Sequence, residues 1–127
     1  MTDTTVTDTA WPYRFFTRAE MACKHTGRCV MDPTFMRKLE TLRQQFGKPM
    51  IVTSGFRDPS HPEEAKKAEP GTHSQGIAVD IAVRGADAVV LLTLALSLGF
   101  TGVGVSQKGT SRFLHLDTRA EPMIWSY

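Results

Sequence analysis

The apolar positions along the chain fall into blocks with two different periods. Phe35, Leu39, Leu42 and Phe46 recur at intervals of four, three and four, which places them on one helical face. Asp32 and Pro33 stand at the head of this block and Gly47 follows it: an N-cap, a first helical position and a C-terminal stop. The pattern predicts a helix over residues 33–46. Residues 50–53 are a short apolar, partly β-branched run ending in Ser54 and Gly55, a strand that turns. Residues 61–71, with Pro59, Pro62 and Pro70 in or beside them, predict a long surface excursion with a helical turn at 63–68. Ile77, Val79, Ile81 and Val83 then alternate with Ala78, Asp80 and Ala82. That is a strand with one bulky face and one small face, and the small face carries a single carboxylate. Residues 86–98 are apolar nearly all round and predict a buried helix closed by Gly99. Residues 102–106 and 113–118 predict two more strands around a turn at Lys108 and Gly109.

This order, with short links late in the chain, predicts an α+β domain: a mainly antiparallel sheet with flanking helices. Residues 1–10, rich in Thr and Asp, read as a flexible tail, with Trp11, Tyr13, Phe15 and Phe16 tucking it onto the body. Residues 11–127 then form a single domain, as a length of 127 suggests. Hydrophobic residues at 41% and charged residues at 22% exclude a disordered chain. The longest apolar stretch, residues 88–98, falls short of the roughly 20 needed to span a bilayer, so no membrane insertion is expected. A net charge of +2 makes no case for nucleic acid. The excess of eight basic over three acidic residues between Arg14 and Lys48 reads as a solvated face, because no aromatic–basic interleaving accompanies it. A monomer is the expectation.

Cys23 and Cys29 have five residues between them, not the two of a zinc ribbon. They read as buried or loop thiols, with a metal clip through His25 as the alternative. The informative residues come later, at His73, Asp80 and His115. His73 lies in a loop after Pro70 and Gly71, Asp80 on the small face of its strand, and His115 on another strand whose Phe113, His115 and Asp117 share a face. A loop imidazole, a strand carboxylate and a second imidazole can converge on one point. Three such ligands with an open fourth position describe a catalytic zinc. A carboxylate inside an otherwise apolar strand needs partners of this kind, because an unpaired buried charge is costly.

His73, Gly76, Ala78 and Asp80 match the pattern Ser-x-His-x-x-Gly-x-Ala-x-Asp, with Gly71 in place of its Ser. Upstream, Ser54-Gly55-Phe56-Arg57 resembles a Ser-Gly-Tyr-Arg segment, and downstream Phe113-Leu114-His115-Leu116-Asp117 resembles Phe-Val-His-Val-Asp. These are the motifs of a zinc peptidase family. The chain resembles, from about Phe16 to Tyr127, the D-Ala-D-Ala carboxypeptidases, L-alanyl-D-glutamate endopeptidases and phage lysis enzymes that share a fold with lysostaphin and the Sonic hedgehog signalling domain. The resemblance implies a hedgehog/D-Ala-D-Ala-peptidase-like fold, one zinc per chain on His73, Asp80 and His115, and a peptidoglycan stem peptide as substrate. It also implies that Arg57 steadies the oxyanion, with a surface salt bridge to Asp58 or Glu63 as the alternative.

The resemblance breaks at the general base. Relatives with a Glu-x-x-His motif carry the base where this chain has Arg112, and relatives with His-x-His carry it where this chain has Phe113. Asp117 is the remaining candidate, as the base or as the partner that orients a ligand. Ser54 and His61 are candidates for contacts near the site or with substrate, His61 equally an exposed loop residue. Trp125 and Tyr127 either line a substrate groove or pack against the first helix, packing being the expectation. The resulting reading is a zinc peptidoglycan peptidase, an endolysin or virion-associated enzyme made in the cytoplasm without an export signal and reaching the wall through a holin pore or in the virion. The alternative is a zinc-stabilised binding or structural module of the same fold. The bond cut, the host and the role of the two cysteines stay open.

Overall fold

A computed structural model describes residues 11–67 and 71–127. The expected tail at 1–10, the end of the expected helical turn at 68 and Pro70 lie outside the described residues. Four helices and five strands follow in the order α1 (Arg18–Met21), α2 (Pro33–Phe46), β1 (Ile51–Ser54), α3 (Pro62–Ala65), β2 (Ala78–Ala82), α4 (Gly85–Ser97), β3 (Gly102–Ser106), β4 (Phe113–Asp117) and β5 (Met123–Ser126). The strands form one sheet in the order β1-β2-β4-β3-β5. Every pairing is antiparallel except β3 with β5. The fold is α+β with a mainly antiparallel sheet.

Helix α2 starts and stops where its sequence directs. Asp32 accepts a hydrogen bond from the Phe35 N–H at 2.8 Å, and Gly47 takes a left-handed φ of 72° that a side chain would resist. Phe35, Met36, Leu39 and Leu42 are buried on its inner face. Full burial is worth about 1.5–3 kcal/mol per large apolar side chain, so this face anchors the domain. It packs with α4 and with Val79, Ile81, Val103, Leu114 and Leu116, the bulky faces of β2, β3 and β4. The opposite face of the sheet is left for the small and polar residues.

The structure departs from the sequence reading in three places. Helix α4 is not buried all round: Ala88, Leu91 and Ala95 face the core while Val89, Val90 and Leu96 are exposed. Its sequence carries no polar stripe to reveal which side is wet. Helix α1 is short but has a complete capping box between Thr17 and Glu20, a signal present in the sequence and overlooked. Strand β5 is the third. Its parallel pairing with β3 sends the chain's last residues across the sheet, so Trp125 and Tyr127 do not pack against the first helix. Trp11 does fold back, donating its indole N–H to the Phe16 carbonyl at 2.7 Å.

Candidate metal centre

One row of strand partners crosses the whole sheet: Ser54, Asp80, His115, Gly104 and Trp125, one residue from each strand. Partners in register project to the same side. The row therefore lines up a hydroxyl, a carboxylate, an imidazole, a gap and an indole on the face opposite the helices. Two residues along, Ala78, Asp117, Gly102 and Met123 make the next row on that face. The alternation Gly-Val-Gly-Val in β3 has its reason here. A Cβ on Gly102 would lie 1.9 Å from Asp117 Oδ1, and one on Gly104 would lie 2.7 Å from Trp125 Nε1.

His73 reaches the row from the loop before β2. Gly76 lets that loop turn: its φ is 73°, and a Cβ there would come within 2.3 Å of the Val30 carbonyl oxygen. The Asp32 N–H donates to the Gly76 carbonyl, tying the loop to the start of α2. The Gly55 carbonyl, after β1, lies 2.8 Å from His73 Nδ1. A carbonyl only accepts, so Nδ1 carries the proton and Nε2 presents a lone pair to the site. His115 lies between two carboxylates. Its Nε2 lies 2.7 Å from Asp117 Oδ2 and its Nδ1 faces Asp80, so with a cation at Nδ1 the ring keeps its proton on Nε2 and donates it to Asp117.

Asp80 Oδ1 lies 3.4 Å from His73 Nε2 and 3.0 Å from His115 Nδ1. Two ligands bound to one tetrahedral zinc at about 2.1 Å lie about 3.4 Å apart. All three residues are buried, their ligand atoms fall within 4.8 Å of one another, and the second nitrogen of each ring has its own acceptor, the Gly55 carbonyl or Asp117. The donor set fits zinc. Among the described residues these form the group placed to hold a metal ion. Cys23 and Cys29 lie in the hydrophobic core instead, with no disulfide between them.

Charge is concentrated at this point. Burial pushes the Asp80 carboxyl up, but the His115 and His73 imidazoles facing it outweigh burial and hold the group well below the usual carboxylate range. Burial likewise pushes His115 down, and its bonds to Asp117 and Asp80 reverse the sign, so its affinity for a proton is raised. A proton thus takes the place that a metal cation would fill.

Asp117 is completely buried, and both of its oxygens are occupied. Oδ1 accepts from the Arg119 backbone N–H and from Nε, each at 3.0 Å, and Oδ2 accepts from His115 Nε2 and from Arg119 Nη2, each at 2.7 Å. It stands on the far side of the His115 ring from Asp80. That position, across the ring from Nδ1, suits the second of the two roles expected for Asp117, a carboxylate that orients a ligand. The Arg119 guanidinium continues outward over the Trp125 ring at 4.6 Å.

Arg57 faces the centre. Its Nε donates to Ser54 Oγ at 3.3 Å, its Nη2 lies 3.7 Å from Asp80 Oδ2, and its Nη1 lies 3.6 Å from Glu64 Oε2. Neither alternative partner, Asp58 or Glu63, holds it: Asp58 pairs with Arg28 and Glu63 with Lys66. His61 is not part of the site. Its Nδ1 caps α3 by accepting from the Glu63 N–H at 3.1 Å, and its ring sits edge-on to His25. Phe113, Trp125 and Tyr127 form an aromatic wall, with Trp125 at 5.0 Å from the His115 ring and Tyr127 at 5.0 Å from Phe113. The three ligands, Arg57 and this wall line an open cleft of about 450 Å³. Phe113 therefore occupies with a ring the place where a base was sought. Arg112 turns outward, donating to the Gly109 carbonyl.

Sequence reasoning missed Glu64 and Arg119, charged residues in segments without an apolar pattern to draw attention. Among curated proteins, none matches the chain. Residues 14–117, most of the chain and the whole of the centre, match the family model Peptidase M15. The chain belongs to the peptidase M15 family, whose members use zinc.

Proposed function

We propose that this protein is a zinc-dependent peptidase that hydrolyses an amide bond in the stem peptide or cross-link of peptidoglycan. The observation that carries the reading is the buried His73–Asp80–His115 group, its imidazoles oriented by the Gly55 carbonyl and Asp117, in an open cleft of an M15 family domain. Zinc on His73 Nε2, an Asp80 oxygen and His115 Nδ1 supplies a Lewis acid and brings the pKa of water down towards about 7.

The chain's own residues do the rest. The Gly55 carbonyl and Asp117 hold the two rings in place. Arg57, at the edge of the cleft, offers N–H groups to a peptide oxygen as it becomes negative. The wall of Phe113, Trp125 and Tyr127 gives the substrate's apolar parts a surface and keeps water from one side of the reacting carbonyl. In its finer form the proposal is a wall-degrading phage enzyme, an endolysin or virion component. The resemblance to phage lysis enzymes supports that form, and clearing of host cell suspensions by added protein tests it.

A second reading, a zinc-stabilised module without catalysis, is favoured by one observation: Arg112 and Phe113 stand where relatives carry their base. Release of muropeptides from purified walls, with and without chelator, separates the two. The peptidase reading expects release that chelator stops and His73→Ala abolishes. Zinc-loaded, folded protein that releases nothing supports the module.

A further inference from the structure

Glu64 is a carboxylate in a four-residue helix, yet its side chain is 1% exposed. Its partners all belong to the approach to the metal centre. Oε1 accepts from the Gly71 N–H at 3.0 Å, at the start of the loop that carries His73. Oε2 accepts from Lys67 Nζ at 2.9 Å and faces Arg57 Nη1 at 3.6 Å. The Arg57 backbone is bound to the same loop, its N–H donating to the His73 carbonyl and its carbonyl accepting from the Ser74 hydroxyl. Arg57, Glu64 and the His73 loop are one connected unit.

The guanidinium in this unit lies between two carboxylates, Asp80 and Glu64, at nearly equal distances. The balance between them changes when Asp80 binds a cation. Its negative charge is then shared with a dication, which also repels the guanidinium directly. The Arg57 side chain is 22% exposed and has an open route to solvent. Glu64 is the anion that remains to hold it against that repulsion. We infer that Glu64 is a positioning residue: it keeps Arg57 directed into the cleft when the metal centre is loaded. The inference rests on the proposed role of Arg57 in catalysis, and it adds the group that makes that role possible.

A double-mutant cycle with Glu64→Gln and Arg57→Ala tests it. Glutamine keeps the shape and can still accept from Gly71, but it lacks the charge. Arg57→Ala is expected to lower kcat by about 10²–10³-fold, the range for a lost oxyanion donor. Glu64→Gln is expected to lower kcat by about tenfold or more with KM and zinc stoichiometry unchanged. Added to Arg57→Ala it should change kcat by less than about twofold, since its effect passes through Arg57. The second readout does not use activity: the Arg57 Nε–H resonance, followed by NMR as zinc is added, should stay sharp and slow to exchange in the parent and be lost in Glu64→Gln. If Glu64→Gln unfolds, Glu64→Asp retracts the charge from Arg57 and is expected to behave the same way.

Arg57→Ala as active as the parent overturns the role of Arg57 and this inference with it. Arg57→Ala impaired, but Glu64→Gln harmless or multiplying the loss independently, overturns the inference alone. So does a Glu64→Gln defect that excess zinc repairs, which makes Glu64 a support of the His73 loop only.

Discussion

Replacing Asp117 by Asn removes a charge without changing shape, and the surrounding donors decide how the new amide sits. It has one oxygen and one NH2 where the carboxylate had two acceptors. With NH2 in the place of Oδ1, it meets the Arg119 backbone N–H and Nε, two donors, the first of which cannot move. With NH2 in the place of Oδ2, it meets Arg119 Nη2 and Nε, both on one side chain that is 27% exposed and free to swing. The second orientation costs less. It also points an N–H at His115 Nε2, which must then accept, so the ring proton moves to Nδ1 and occupies the position offered to the metal.

Zinc has to reverse that tautomer and leave a buried donor unmatched, at a cost of about 1–3 kcal/mol. Every 1.4 kcal/mol is about a factor of ten, so zinc affinity should fall by about 10–100-fold, the range seen when the partner of a ligating histidine is lost. Competition with a chromophoric chelator measures this affinity, and peptide release across a range of zinc concentrations measures the rate. The expected result is a weaker site whose activity returns when zinc is raised. Unchanged zinc affinity with a rate lowered by about 10²–10⁴-fold refutes the reasoning and returns Asp117 to the role of base.

The same geometry sets three further outcomes. Gly102→Ala brings a methyl group into Asp117, so it should destabilise the fold by about 1–3 kcal/mol in denaturant titrations and weaken zinc binding alongside. Zinc affinity should fall as pH drops through the raised pKa of His115, which places the loss above the ordinary histidine value of 6.5; calorimetry in buffers of different ionisation heat should show proton release on binding, and binding independent of pH between 5 and 8 contradicts it. Burial raises the Glu64 pKa, but hydrogen bonds from Lys67 and the Gly71 N–H outweigh it and bring it to about 2 from an ordinary 4.5. Its stabilising contribution is thus complete above about pH 4.5 and lost as pH falls towards 2; Glu64→Gln should flatten the acid limb of a thermal unfolding series over that window.

The metal centre was legible because its chemistry contradicts its surroundings. Asp80 in an apolar strand, and His115 two residues before another acid, are anomalies that alternation places on one face. Helix α2 was legible because period, cap and stop agree. The parts that escaped depend on partners remote in sequence. Nothing local to residues 123–127 says that they pair in parallel with β3, so packing against the first helix was preferred to the groove that Trp125 and Tyr127 line. Glu64 looks like any acid on a polar helix until its loop closes over it. The two roles weighed for Asp117 could be told apart only by knowing which side of the His115 ring it occupies.

In the proposed function, one zinc on His73, Asp80 and His115 makes this domain a peptidase. Titrating zinc into the metal-free protein, with release of peptide from purified peptidoglycan read at each step, tests it most directly. Activity is expected to rise linearly and break at one zinc per chain, with His115→Ala inactive at every ratio. Full occupancy by one zinc with no hydrolysis, or activity that persists in His115→Ala, would contradict it.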